Sequence, residues 1–307
     1  MQRLYKRRTY EKGSSYYFIV LLIPFFVTKI FTKKENIKYK FIKNCIIKVK
    51  DEKTNKIMEI PFEEYIIGVV SAEMGPSFEI EALKAQAVAS RSYALYHMNG
   101  KEYDVTNTTS NQVYLTNEDL KEKWKNNYQK NINKIKKAVE ETKGEYLTYE
   151  GKVANTLFFA SSPGKTENSE EVFVSKMPYL RSVGSSWDED LFVDTITLEI
   201  EDFYKKLKLP PSPTLNIEIL EKTSTGRIRT LKINGTEIKG RDFAQKLNLK
   251  SNFFEISKNE SKITIITKGY GHGVGLSQYG ANGMSKEGKN YKEILSHYYI
   301  GTEIKKM

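Results

Sequence analysis

A chain of 307 residues with 39% hydrophobic and 12% aromatic side chains can bury a real core, which excludes a disordered polymer. The net charge of +11 would suit a nucleic-acid binder, but residues 1–58 carry all of it, with 15 Lys/Arg against 4 Asp/Glu. The rest of the chain is neutral and lacks the basic patch that a nucleic-acid reader carries on its folded body, so no nucleic-acid partner is expected.

The first predicted element follows a basic N-terminus at residues 1–15. It is the apolar run YYFIVLLIPFFVTKIF, residues 16–31, whose one charge, Lys29, sits where a long side chain can snorkel. Sixteen helical residues span roughly 24 Å, slightly short of a bilayer core, and Pro24 is tolerable in a membrane helix. No small-residue cleavage site follows, so an uncleaved signal-anchor is expected rather than a removed signal peptide. Lys/Arg number five in residues 1–15 and seven in residues 29–48, which leaves orientation undecided by charge. Residues 32–58 read as a lysine-rich spacer with a strand at 45–49. Cys45 is the only cysteine, so neither an intramolecular disulfide nor a thiolate metal cluster is expected.

A folded body begins near Ile60-Pro61. The apolar run Tyr65-Ile66-Ile67-Gly68-Val69-Val70 leads to one carboxylate, Glu73, before Gly75-Pro76 breaks the chain. A helix is predicted over 79–97, alanine-rich for close packing, with Ser77 as its cap. A second helix is predicted over 117–142, stopped by Gly144. Strands follow at 145–149 and 153–160, an extended segment at 178–187 and a loop at 188–194. Residues 195–262 change character: a short helix at 200–207, the linker Pro210-Pro211-Ser212-Pro213, paired strands at 217–222 and 227–233, and a helix at 241–247. Asn234-Gly235 is a hairpin signal. A strand at 262–267 leads into a glycine-rich loop and a final helix at 291–299. The pattern is α+β: one core from residues 59–194 and 263–307, with a smaller, mainly β subdomain at 195–262 inserted before the glycine-rich loop and helix.

Three segments carry candidate chemistry. Glu73 is either a buried glutamate paired with Arg91 or Lys84, or a general acid whose apolar surroundings let it hold a proton near neutrality. SSPGKTENSEEVF, residues 161–173, fails as a phosphate loop because Phe159 stands where a glycine is needed. It offers Ser161, Ser162, Lys165, Glu167 and Asn168, a mix of donors and acceptors suited to sugar hydroxyls, or else an ordinary solvated turn. KGYGHGVGLSQYGANGM, residues 268–284, misses the dinucleotide spacing. Its glycines imply unusual backbone or a close ligand, with His272 and Gln278 as natural contacts, His272 being equally readable as a core histidine. Three scattered histidines give no grounds for a zinc site, and no G-x-S-x-G elbow is present.

Together, EEYIIGVVSAEMGPSFEIEALKAQAVASRSYAL, SSPGKTENSEEVF and GYGHGVGLSQYGANGMSKEGKNYKEILSHYYIGTEI resemble the stage II sporulation protein D family from about residue 60 to 304. The resemblance implies a membrane-anchored lytic transglycosylase of endospore-forming bacteria. It would act on peptidoglycan glycan strands during forespore engulfment, beside a cell-wall amidase and a polytopic membrane protein. The body would face outward from the mother-cell engulfing membrane, with the N-terminus inside. The family's catalytic glutamate falls on Glu73, within Ala72-Glu73-Met74. The expected sugar-contacting set is Arg91, Gln112, Ser161, Ser162, Lys165, Glu167, His272 and Gln278. A hydrolase generally uses two carboxylates, whereas attack by the sugar's own 6-hydroxyl needs only one. The turn Met74-Gly75-Pro76-Ser77-Phe78 and Pro163 depart from the family pattern. Asn111 stands where some members place a zinc-binding cysteine, so no metal and no cofactor are carried over. The rival reading is a non-catalytic peptidoglycan-binding scaffold of the engulfment complex.

Overall fold

The computed structural model describes residues 45–98 and 100–307. No helix among the described residues is long and apolar enough to cross a membrane. The expected signal-anchor at 16–31 lies outside the described residues.

The body opens with a hairpin of β1 (Ile46–Lys50) and β2 (Ile57–Pro61), and β3 (Val105–Thr106) joins β1 in parallel. The chain passes directly into α1 (Phe62–Glu73). Phe62, Tyr65, Ile66, Val69 and Val70 recur at helical spacing and are buried, while Glu63 and Glu64 favour the positive end of the helix dipole. The helix stops where Gly75 takes φ +79° and its N–H reaches back to the Val70 carbonyl. The central helix, α2 (Ile80–His97), is buried from Ala82 through Leu95 except at Lys84, with α1 packed on it. Its alanines allow that close approach. Ser77 does not cap it: Glu79 is the N-cap residue, and its backbone N–H is satisfied by Asn282 Oδ1 at 2.7 Å.

The helix expected over 117–142 is two helices, α3 (Asn117–Trp124) and α4 (Tyr128–Glu141), because Lys125 takes φ +46° and turns the chain. The strand β4 (Glu145–Tyr149) lies between β5 (Lys152–Val153) and β16 (Glu303–Lys306), so the last strand pairs with one from the middle of the body. The long strand expected at 153–160 reduces to β5 and to β6 (Phe158–Phe159), which pairs in parallel with β15 (Leu276–Ser277). The short helix α5 (Ser169–Val172) follows, and the segment at 178–187 contributes only β8 (Gly184–Ser185), paired with β7 (Gly164–Lys165), before a 3-10 turn at Ser186–Asp188.

A second hydrophobic core forms from Phe203, Leu207, Ile228, Leu231, Phe243, Ile263 and Ile265. It is covered by the sheet β10 (Ile217–Lys222), β11 (Ile228–Ile233), β12 (Thr236–Lys239), and by a second sheet. That sheet joins β9 (Val193–Glu199), β14 (Lys262–Lys268) and β13 (Phe254–Lys258). Two short helices, α6 (Ile200–Leu207) and α7 (Gly240–Lys246), pack with them. Asn234 and Gly235 turn between β11 and β12 with φ +46° and +84°, as the hairpin signal anticipates. Both cores belong to one compact unit, Lys43–Met307, and the whole is an α+β fold. The chain closes with α8 (Gln278–Lys286) and α9 (Tyr291–Tyr298) against α2.

Candidate active site

Glu73 is the last residue of α1, so the apolar face of the helix carries its carboxyl into the body. Neither expected cation partner reaches it. Lys84 is held between Glu81 and Glu141, each at 2.6 Å. Arg91 is fully buried, donates to both oxygens of Glu63 at 3.0 and 2.8 Å, and gives a third bond to the Glu145 carbonyl. The ion-pair reading of Glu73 is therefore wrong, and Arg91 is a strut between α1, α2 and β4.

Two neutral donors face Glu73 instead. The Val113 N–H donates to Oε1 at 2.7 Å, and the Gln278 side chain forms a second hydrogen bond. Burial dominates both and pushes the carboxyl up to about 7. Burial, and to a lesser degree this carboxyl, raises the hydroxyl pKa values of Tyr65 on α1 and Tyr93 on α2.

Val113 reaches Glu73 because of a glycine inside α1. A Cβ at Gly68 would sit 2.3 Å from the Tyr114 ring and 2.6 Å from the Leu115 carbonyl oxygen. Without it, Tyr114 stacks on Tyr65 with centroids 5.4 Å apart, and the loop lies flat on the helix. Gln112, just before Val113, is fully buried and hydrogen-bonded to Tyr65 and to the Ser90 carbonyl, not open to a ligand.

The glycine-rich loop alternates: Gly269, Gly271, Gly273 and Gly275 all take positive φ. At Gly273 the requirement is doubled, since a Cβ there would meet Arg227 Nη2 at 2.6 Å. The ring of His272 is tied within this fold at both nitrogens: Nδ1 accepts the Val274 N–H at 3.0 Å, and a second bond runs to the Phe158 backbone. Burial, with Arg227 and Arg241 nearby, pushes it down to about 4, so it is neutral. His272 is thus a brace of the loop, with no ring nitrogen left for a sugar.

The turn at 161–167 is stapled to the same loop. Ser161 and Tyr270 exchange backbone bonds, and the Glu167 N–H donates to the Gly273 carbonyl at 2.7 Å. Ser161 and Ser162 are fully buried; they serve Asp188, which accepts from the Ser162 N–H at 2.6 Å, from Ser185 Oγ at 2.7 Å and from Ser277 Oγ. Glu167 is also buried, its carboxyl raised by burial, bonded to Thr225 Oγ1 and 3.9 Å from Arg227. Lys165 alone of this group is exposed. A cleft of about 1090 Å³ lined by Thr109, Ser110, Arg241, Lys250, Asn252 and His272 adjoins these elements. Its Thr109–Ser110 wall runs on through the chain to Val113.

Of the residues marked in the sequence, then, Glu73 and Gln278 meet directly, and Gln112 holds the loop segment that supplies the third partner. The Val113 N–H could not be found from sequence, since any residue carries one. Asp188, inside SSWDED, had no spacing to single it out. Among the described residues no group of three His, Cys, Asp or Glu side chains stands close enough to hold a metal ion.

The family described as stage II sporulation protein matches residues 50–149, which include Glu73, Arg91 and Gln112. Stage II sporulation protein D of Bacillus amyloliquefaciens is 42% identical over 261 residues, covering 81% of this chain and 76% of the relative. The protein of the same name from Bacillus subtilis is 42% identical over 259 residues, covering 81% and 75%. A more distant relative is the amidase enhancer of Bacillus subtilis, 30% identical over 77% of this chain and 40% of its own length. With 42% identity over 81% of its length to two proteins of that name, the chain belongs to the stage II sporulation protein D family.

Proposed function

We propose that the chain is a lytic transglycosylase that cleaves peptidoglycan glycan strands to 1,6-anhydro-muramyl ends during forespore engulfment, with Glu73 as its single acid and base. The observation that carries this is a carboxyl with no cation on it from Arg91 or Lys84, held at about 7 by burial and faced by two neutral donors. Because Val113 donates to Oε1, the proton rides on Oε2. Glu73 gives it to the glycosidic oxygen as the bond from the anomeric carbon breaks. The resulting carboxylate is stabilised by the Val113 N–H and the Gln278 side chain. It then takes the proton of the 6-hydroxyl as that oxygen closes the anhydro ring, so the enzyme ends as it began. One carboxyl near neutrality suits both halves.

In this reading residues 16–31 anchor the chain in the membrane with the body outside. Lys165 contacts the strand, and a cell-wall amidase and a polytopic membrane protein are its partners. A relative named as an amidase enhancer favours a second reading, in which the body binds peptidoglycan and serves an amidase without cleaving. Incubating the purified protein with glycan strands and reading the products by mass spectrometry separates the two. Anhydro ends that vanish in Glu73→Gln support the enzyme. Strand binding without cleavage supports the scaffold, and reducing ends bearing an added water would require a second carboxylate.

A further inference from the structure

Both donors to Glu73 are side branches of one buried polar network. Gln278 Nε2 donates to Gln86 Oε1 at 3.4 Å, and Gln86 Nε2 donates to Ser90 Oγ at 2.9 Å. On the other side, Gln112 Nε2 donates to the Ser90 carbonyl at 3.3 Å while Tyr65 Oη donates to Gln112 Oε1 at 3.0 Å. Gln112 is bonded through the chain to Val113, the backbone donor to Glu73. Gln86, Ser90 and Gln112 are fully buried and Gln278 nearly so. An amide buried without partners is costly, so each of these side chains has one low-energy arrangement. Ser90 is the only residue that both arms share.

We infer that Ser90, through Gln86 on one arm and Gln112 on the other, positions the two donors that set the proton affinity of Glu73. None of the three touches substrate; they are positioning residues, and the inference rests on Glu73 being the acid and base. Arm one runs Ser90–Gln86–Gln278–Glu73 through side chains. Arm two runs Ser90–Gln112 and then through backbone to Val113. The arms are separable, because Ser90→Ala removes Oγ and leaves the carbonyl. The titratable groups that face Glu73 are Tyr65 from α1 and Tyr93 from α2, both with raised pKa and so neutral across the range in question. On the remaining side stand Gln278 and the Val113 backbone, which do not titrate.

A hydrogen bond to a carboxylate lowers its pKa, so loosening either arm raises it. Losing one such bond corresponds to about one unit. The test is an infrared pH titration of the full-length protein in detergent, in which the protonated carboxyl signal of Glu73 is identified by its loss in Glu73→Gln. Gln86→Met and Gln112→Met should each shift the midpoint upward by about one unit. Ser90→Ala should reproduce Gln86→Met, and the double variant should move no further, as a shared arm requires. Where glycan cleavage is measured, kcat should fall with KM unchanged, and the alkaline limb should move up with the midpoint. Lower thermal midpoints with an unmoved Glu73 titration, or additive shifts in the Ser90→Ala, Gln86→Met pair, overturn the inference. Ser90→Ala, the loss of a single oxygen, is the variant that decides if Gln86→Met does not fold. Because the titration needs no turnover, a chain that cleaves nothing still tests the network, whereas the products test Glu73 as acid.

Discussion

At Glu73, burial has a thermodynamic consequence as well as a chemical one. The folded chain holds this proton up to about pH 7, whereas a free glutamate loses it near 4.5. Between those values the native state binds more protons than the unfolded state, so stability falls as pH rises and the loss is complete above about 7. The full effect is on the order of 3 kcal/mol. Glu73→Gln has no proton to lose, so its thermal midpoint should exceed that of the wild type by a margin that grows from pH 5 to pH 8. A margin independent of pH would show that Glu73 is solvated. The same variant should cut strand cleavage by about 10²–10⁴-fold while strand binding persists. Stability gained where activity is lost is the signature of a strained functional group. His272 behaves oppositely. Since both its ring nitrogens hold the glycine-rich loop, His272→Ala should lower the thermal midpoint, and a variant that keeps it while losing only strand affinity would make His272 a contact residue.

Helix α1 ends in the candidate acid and also presents the surface on which the donor loop rests. Replacing a helical glycine by alanine ordinarily stabilises a helix by about 1 kcal/mol. Gly68→Ala should do the reverse, because the new methyl meets Tyr114 and the Leu115 backbone, and the backbone cannot swing aside. The loop would lift, Val113 would leave Glu73, and the carboxyl would titrate higher than in the wild type. Circular dichroism together with the Glu73 titration checks this; a more stable protein with an unmoved titration would refute it. Much of the element order was legible: α6, the β10–β11 pair and the turn at Asn234-Gly235 depend on neighbours within a few residues. The break at Lys125 was not, because the chain around it reads as continuous amphipathic helix.

Across the molecule, the turn between β10 and β11 docks on the 167–171 segment. Ser224 donates twice to Glu171, at 2.9 and 2.8 Å, and Thr225 to Glu167. Arg227, just before β11, is buried beside Glu167 with its pKa lowered to about 10 by desolvation. The second core is thereby keyed beneath the glycine-rich loop. Arg227→Ala would leave Glu167 buried without its cation, at a cost of about 3–5 kcal/mol, whereas Arg227→Met combined with Glu167→Gln should recover most of it. Chemical denaturation of the single and paired variants measures the difference, and equal losses in both would show that the charges are not coupled. Since both cores lie within Lys43–Met307, a chain cut at Lys43 should fold and melt cooperatively.

The order of elements, the apolar approach to Glu73 and the three motifs with their family were all determined by local pattern, because helices, turns and a carboxylate ending an apolar run are set by residues close together in the chain. Which polar group serves which partner was decided only in three dimensions. Arg91 finds Glu63 at a separation of 28 residues, and Gln278 finds Gln86 across 192. Spacing carries no record of such pairs. A buried polar side chain must be satisfied by whatever donor or acceptor the packed elements bring to it, so residues chosen as sugar contacts for their chemistry, Arg91, Gln112, Ser161 and Ser162, became the internal braces that hold Glu73 and the loops around it.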